Sequence, residues 1–225
     1  GYITEMLYRP GAKYLVSDYT AFESHFSAKV ILNVEYALYE HMLNEVTGAR
    51  PLLAELRECL CGLNYCNFKH FTGVVSATRM SGEMCTSLGN GFTNWSLMDF
   101  AAYKHNTMVS GVVEGDDGLF TFANNIIPDE AFFAKLGFTV KLQTVPSIAE
   151  AGFCGMYFDP EDQIVVADPI EPLAGFGWFP SKYIHSKKAR LLELIRAKSY
   201  SLAYQYAGCP VLQSLGHYGL RSTKH

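Results

Sequence analysis

A hairpin signal near the middle of the chain constrains the fold more than any other feature. Two apolar runs, residues 108–113 and 119–123, flank a five-residue segment, 114–118, with the sequence EGDDG. Strand-like runs on both sides of an Asp-Gly turn composition predict two antiparallel strands joined by a tight turn. Such a turn occurs in many hairpins that have no catalytic or binding role. Its adjacent carboxylates, however, repel each other, and a bound divalent cation would remove this electrostatic repulsion.

The segments around the hairpin alternate between helical and strand-like patterns. Apolar residues at three- and four-residue steps predict helices over residues 30–42, 51–60, 86–104, 128–136 and 187–206. Strand-like composition marks residues 14–18, 67–75 (a strand or a hairpin), 138–142, and a second hairpin made of 152–158 and 163–166. This order predicts an α+β fold with a mainly antiparallel sheet and helices on one face.

Charge is unevenly divided along the chain. Residues 182–225 contain eight Lys or Arg and one acid, a net charge of +7, whereas residues 1–181 contain 10 basic and 21 acidic residues, a net charge of −11. A basic tail beside an acidic body fits a phosphate-binding surface next to a cation site, although a solvated helix face is the alternative. No apolar run reaches the roughly 18–20 residues that span a bilayer, so no membrane association is visible in the sequence.

Two further blocks carry polar residues at spacings that suit nucleotide chemistry. Asp18 ends the strand-like run 14–18, and the block 79–90, with the sequence RMSGEMCTSLGN, passes through a Ser-Gly turn into a helix. Thr86 and Asn90 are four residues apart and therefore share a helical face. Asp18 with the two hairpin acids would supply three carboxylates, enough to hold two metal ions about 3.5–4 Å apart. In isolation, helix capping explains each of the two blocks equally well.

Taken together, these blocks resemble a known family. In their order and spacing, SDYTAFE (17–23), RMSGEMCTSLGN (79–90) and EGDDG (114–118) resemble palm motifs A, B and C, the last with its GDD motif, of positive-strand RNA virus RNA-dependent RNA polymerases. The likeness is greatest to the tombusvirus and nodavirus-like group. LGFTVK (136–141) is similar to motif D of this family, and GFCG (152–155) is similar to its primer-gripping motif E.

The resemblance implies an architecture. Residues 1–160 would form the palm, an antiparallel sheet on an RRM/ferredoxin-like core with helices on one face. Residues 161–225 would form the palm edge and the start of a helical thumb, since 201–210 is similar to the thumb entry of this group. The fingers would be absent from this chain. We therefore expect a fragment that polymerises poorly by itself.

The resemblance also assigns the metal site. Asp18 and Asp116 would be the main metal ligands, with Asp117 assisting and the carbonyl of Tyr19 within reach of an ion. The metal would be two Mg²⁺ ions, with Mn²⁺ possible in their place. Lys141 of motif D would act as the general acid for pyrophosphate departure.

Further roles concern the nucleotide and the RNA. Glu23 stands where the family usually has Asp, a group that reads the ribose 2′-hydroxyl together with Asn90, and the extra methylene shifts that geometry. The remaining nucleotide contacts implied are Ser81, Gly82 and Thr86. The implied RNA or template contacts are Arg79, Cys154, Lys187 and Lys188.

Partners follow from the same resemblance. They would be the RNA template, the nascent RNA, NTPs and the remainder of the polymerase, namely the fingers and the rest of the thumb. The expected location is a viral replication complex in the host cytoplasm.

Two other functions remain open from the sequence. A reverse-transcriptase-like polymerase would usually carry an aromatic-Met-Asp-Asp core, whereas this chain has Gly115-Asp116-Asp117. A non-catalytic palm-like RNA-binding module would keep its RNA affinity after Asp116→Ala and in the presence of a chelator. A zinc site at Cys59, Cys61, Cys66 and His70 is also left undecided, because the spacing lacks a paired CxxC.

Overall fold

The computed structural model describes residues 2–224, which form two compact units. The first unit is residues 9–147, and the second joins the N-terminal helix to residues 148–224. The helices are α1 (Tyr2–Leu7), α2 (Ala28–Val30), α3 (Tyr36–Leu43), α4 (Ala49–Cys61), α5 (Thr86–Lys104), α6 (Glu130–Lys135), α7 (Ile170–Ala174), α8 (Lys188–Gln205) and α9 (Pro210–Ser222). The strands are β1 (Tyr14–Tyr19), β2 (Leu63–Asn67), β3 (Thr72–Ser76), β4 (Val109–Glu114), β5 (Asp117–Phe122), β6 (Val140–Val145), β7 (Met156–Asp159) and β8 (Ile164–Ala167).

A four-stranded antiparallel sheet forms the centre of the first unit. Its strand order is β4-β5-β1-β6, and β1 pairs with both β5 and β6. Leu15 and Phe120 of the sheet belong to the same apolar core as Met98 and Ala101 of α5. The predicted α+β class with an antiparallel sheet is confirmed.

The central hairpin is confirmed, but its turn is shorter than the composition predicts. Only Gly115 and Asp116 lie between the paired residues Glu114 and Asp117. Gly115 has a φ of +58°, a conformation that glycine adopts without steric cost. Gly118 belongs to strand β5, where a Cβ atom would lie 2.6 Å from Ser17 Oγ. The second glycine is therefore required by close strand packing and not by the turn.

The helix predicted over residues 30–42 is interrupted. A π-helical segment, Ile31–Glu35, separates α2 from α3. Its wider turn moves the buried face away from the predicted apolar stripe and onto Ile31, Glu35 and Tyr36, whereas Met42 is exposed. A π-helical segment is rare and is frequently found at functional sites.

The second unit contains a hairpin and a pair of packed helices. Strands β7 and β8 form the predicted hairpin, and α8 nearly coincides with the predicted helix over 187–206. Helix α9, which no pattern predicted, opens with Pro210 at its first position and packs on α8. Two glycines of α9 permit the close approach, since a Cβ atom at Gly216 would lie 2.7 Å from Ala203 N. No helix within residues 2–224 is long and apolar enough to cross a membrane.

Candidate active site

The pairing of β1 with β5 brings the separate acidic motifs together. Ser17 is the Cα partner of Gly118, and continuing this antiparallel register by one residue sets Asp18 opposite Asp117. Asp116 occupies the adjoining turn, and all three acids are exposed at this end of the sheet. Two motifs almost a hundred residues apart in sequence therefore meet at one edge of the sheet.

The electrostatics of Asp116 show how closely the acids converge. Although Asp116 is exposed as a residue, its carboxyl is partly desolvated, which is the first cause of its raised pKa; the negative charges of Asp117, Glu23 and Asp18 raise it further, while a bond to its own backbone lowers it. Four carboxylates thus share one electrostatic environment. Such a cluster disfavours its own ionisation until a cation neutralises it.

The donor chemistry of this cluster fits a hard divalent cation, because magnesium prefers carboxylate oxygens together with waters and phosphate oxygens. Among residues 2–224, however, no three His, Cys, Asp or Glu side chains are already placed to hold one ion. This holds for the acids and equally for Cys59, Cys61, Cys66 and His70. Asp18, Asp116 and Asp117 are exposed, so their side chains are free to reorient toward a shared ion.

Glu23 and Asn90 meet beside the acids. Asn90 Nδ2 donates a hydrogen bond to Glu23 Oε1 at 3.4 Å, and Asn90 is buried near the start of α5. Asn90 Oδ1 is buried and has no hydrogen-bond partner within the described part of the chain. A buried acceptor without a partner is uncommon in a folded protein.

Asn94 belongs to the candidate site but was not predicted from the sequence. Its Nδ2 donates to the carbonyls of Asp116 at 2.9 Å and Asp117 at 3.2 Å, with Gly115 O at 3.5 Å. The amide therefore fixes the backbone of the turn that carries both acids. The sequence contains a signal for this residue, because Asn94 is four residues beyond Asn90 and therefore lies on the same helical face.

A second missed contact joins the first turn of α5 to the hairpin. Ser87 Oγ donates to Glu114 Oε1 at 2.6 Å. The helix also approaches the turn backbone closely, since a Cβ atom at Gly91 would lie 3.6 Å from Gly115 N. The hairpin tip is thus attached to α5 at more than one point.

The loop before α5, together with the first residue of the helix, carries the predicted nucleotide contacts Ser81, Gly82 and Thr86. Ser81 and Gly82 are exposed, and Gly82 has a φ of +95°. The Thr86 hydroxyl is only half-buried but donates to the carbonyl of Glu83 at 2.9 Å, a local bond at the start of the helix. The nucleotide contacts of these residues stay predictions.

Arg79, for which an RNA contact was predicted, is buried in this structure. Its side chain has no exposed surface and forms ion pairs with Glu35 and, at 2.9 Å, with Glu83. The unpredicted π-helical segment supplies the buried Glu35 that makes this placement possible. Arg79 therefore acts inside the fold.

Lys141 lies directly across from Asp18. The two residues are Cα partners in the β1–β6 pairing, so their side chains leave the same face of the sheet. Lys141 is exposed. Its position beside an acid of the cluster is compatible with proton donation, and that role stays a prediction.

The other predicted RNA contacts lie in the second unit. Cys154 has a φ of +51° in the turn before β7. Lys187 precedes α8, Lys188 opens it, and both are exposed. Their contacts with RNA stay predictions.

Comparison with known proteins adds independent evidence. A family model described as viral RNA-dependent RNA polymerase matches residues 16–160, which contain all three motif blocks. No curated protein sequence matches the chain. Among solved structures, the crystal structure of the RNA-dependent RNA polymerase of a human picorbirnavirus is similar, with a TM-score of 0.71 at 11% identity. The match covers 99% of this chain and 43% of that one, so this chain spans less than half the length of that polymerase.

Proposed function

Since this chain belongs to the viral RNA-dependent RNA polymerase family, we propose that it is the catalytic palm of an enzyme that adds nucleotides from NTPs to an RNA 3′ end. The template is RNA, and the remainder of the polymerase supplies the fingers and the rest of the thumb. The observation that carries the proposal is the meeting of Asp18 with the Asp116-Asp117 hairpin through the β1–β5 register. The assignment to the tombusvirus and nodavirus-like group stays a prediction.

Asp18 and Asp116 are the proposed metal ligands, with Asp117 and the Tyr19 carbonyl in support. Two bound Mg²⁺ ions, or Mn²⁺, would supply activation of the attacking 3′-hydroxyl and stabilisation of the leaving oxygen. The raised pKa of Asp116 supports this use, because burial first and then the charges of its acidic neighbours disfavour the ionised carboxyl in the protein alone. Lys141, paired with Asp18, is positioned to deliver a proton to the departing pyrophosphate.

Glu23 and Asn90 are the proposed readers of the ribose. Asn90 already donates to Glu23, and its buried oxygen lacks a partner within residues 2–224. A ribose 2′-hydroxyl can both donate to this oxygen and accept bonds, whereas a deoxyribose would leave the buried group unpaired. A site built to bond a hydroxyl rejects the analogue that lacks it far more strongly than an apolar pocket does.

Primer extension by the full-length polymerase that contains this chain tests the proposal. With an RNA primer–template, NTPs and Mg²⁺, Asp18→Asn and Asp116→Asn are each expected to lower kcat by at least roughly a hundredfold, as loss of a key electrostatic group does. Asp99→Asn is the matched control, because Asp99 is an exposed acid on the far part of α5 and should leave extension unchanged.

Two results would contradict the proposal. A preference for dNTPs over NTPs would point to a reverse-transcriptase-like enzyme. RNA binding that survives chelator and Asp116→Ala, without any nucleotide incorporation by the wild type, would point to a binding module.

A further inference from the structure

A buried ion pair lies outside the carboxylate cluster and has no role in the chemistry described above. Glu35 of the π-helical segment and Arg79 of the loop before α5 are both fully buried and bonded to each other. Tyr39 donates to Glu35 Oε1 at 2.8 Å, and burial raises the pKa of the Tyr39 hydroxyl, which keeps it a neutral donor. The Arg79 guanidinium also lies over the ring of the core residue Phe26, 5.2 Å from its centroid.

Arg79 forms hydrogen bonds that connect the two ends of the 80–85 loop. Its Nη1 donates to Glu83 Oε2 at 2.9 Å and to Cys85 Sγ at 3.3 Å, while its Nη2 donates to Glu35 Oε2. Glu83 in turn accepts a bond from the backbone of Met80 at 3.3 Å. The planar guanidinium fork therefore connects the π-helical segment to both ends of the loop, a geometry that a lysine cannot reproduce.

The same ion pair packs against the turn of α5 that carries Asn90. A Cβ atom at Gly89 would lie 2.5 Å from the Glu35 carboxyl carbon and would also meet the Arg79 guanidinium. Glycine at this position thus lets the pair occupy the space beside the helix. Asn90, the next residue, bonds to Glu23, so the ion pair packs directly beside the residue that makes the Asn90–Glu23 contact.

We propose that the Glu35–Arg79 ion pair is a positioning device that holds the 80–85 loop and the Asn90 turn in place, and thereby sets how strongly the site discriminates the ribose 2′-hydroxyl. The inference rests on the proposed function. Apolar residues of similar volume often replace a buried ion pair without loss of stability, so stability alone does not explain its presence. The Ser81-Gly82 turn itself is exposed, with Gly82 at a φ of +95°, and is closed by a backbone bond from Glu83 N to Met80 O at 3.2 Å.

The test removes both charges at once, in the full-length polymerase. Glu35→Leu combined with Arg79→Met removes both members of the fully buried pair, and Glu83, which loses Arg79 as a partner, is still 26% exposed and can be solvated, so the thermal midpoint is expected to stay close to that of the wild type. The ratio of kcat/KM for an NTP to that for the matching dNTP is expected to fall roughly tenfold or more, because small displacements of a positioned group have effects of this size. Arg79→Lys, which keeps the charge but loses the fork, should reduce the same ratio by a smaller factor.

A second readout does not depend on catalysis. Amide hydrogen exchange at residues 82–84 is expected to become roughly tenfold faster in the double variant, since a loop that loses its anchor opens more often. Thr93→Val is the matched control: it removes another buried polar group from α5 and should change neither the ratio nor the exchange.

The outcomes separate the two proposals. A folded double variant with wild-type exchange and a wild-type NTP/dNTP ratio overturns the positioning role, as does a loss of activity in which that ratio is unchanged. If the double variant does not fold, Arg79→Lys decides by the same criteria. If the wild type fails to extend RNA, the polymerase proposal fails, while faster exchange in the variants still supports the anchor.

Discussion

Replacement of Asn94 by Leu is expected to weaken both the fold and the catalytic site. Asn94 is fully buried in α5, and its Nδ2 bonds to the carbonyls of Asp116 at 2.9 Å and Asp117 at 3.2 Å. Leucine has the same branched shape, is somewhat larger and has no donor, so the turn that carries the acids loses its attachment to the helix.

The magnitude follows from these contacts. Two hydrogen bonds at about 0.5–1.5 kcal/mol each give a loss of about 1–3 kcal/mol. Asn94 Oδ1 is itself buried and without a partner in the described part of the chain, so its removal recovers part of that energy. The net decrease in the free energy of unfolding is then about 1–2 kcal/mol. If the freed turn moves by about 1 Å, kcat falls by roughly a hundredfold.

The neighbouring residue supplies a matched control. Thr93 is equally buried, but its hydroxyl has no hydrogen-bond partner among residues 2–224. Thr93→Val therefore removes an unsatisfied polar atom, and we expect the free energy of unfolding to stay the same or to rise by up to about 1 kcal/mol. The two substitutions are adjacent on one helix and should act in opposite directions.

Urea unfolding followed by tryptophan fluorescence measures both variants. Trp95 lies in α5 close to the altered positions, whereas Trp178 lies in the second unit and is mostly exposed. In a Trp178→Phe background, the fluorescence change reports on the first unit alone. If Asn94→Leu proves as stable as Thr93→Val, or if it loses stability while kcat stays at the wild-type value, the assigned role of Asn94 is wrong.

Three further predictions follow from the same site. Asp116→Asn should raise the free energy of unfolding at pH 7 without metal. Because the pKa of Asp116 is raised in the folded protein, its carboxyl contributes stability fully only below the ordinary aspartate pKa of about 3.9, and this contribution is lost as pH rises through the raised pKa. In urea titrations, the gain in stability of the variant should therefore fade toward pH 4. Mg²⁺ should raise the thermal midpoint of the wild type and not of this variant, and an equal shift in both would place the metal elsewhere. Ser87→Ala should lower the free energy of unfolding by no more than about 1 kcal/mol, because the bond to Glu114 is exposed, and a larger loss in urea unfolding would show that this bond is structural. Lys141→Met should lower kcat and abolish the basic limb of the pH–rate profile, and an unchanged profile would exclude it as the acid.

The sequence predicted the elements that depend on local pattern. Helix α5 begins and ends at the predicted residues, because its helical pattern extends over the whole segment and a loop marks its start. The central hairpin was predicted for similar reasons. The π-helical segment was not, because its cause is tertiary: a buried Glu35 that pairs with an arginine 44 residues away. The burial of Arg79 was not predicted for the same reason, since an arginine beside a nucleotide motif carries no sequence signal of burial.

The candidate site depends on one face of α5 more than on the acids themselves. Ser87, Asn90 and Asn94 are spaced by three and four residues, and they bond respectively to Glu114, to Glu23 and to the turn carbonyls. A rigid helix fixes the distances between these three contacts at about 1.5 Å per residue. The helix therefore sets where the segment after β1 lies relative to the β4–β5 turn. The carboxylates repel one another, so neutral side chains of α5 hold the cluster together, a role that a further acid could not fill.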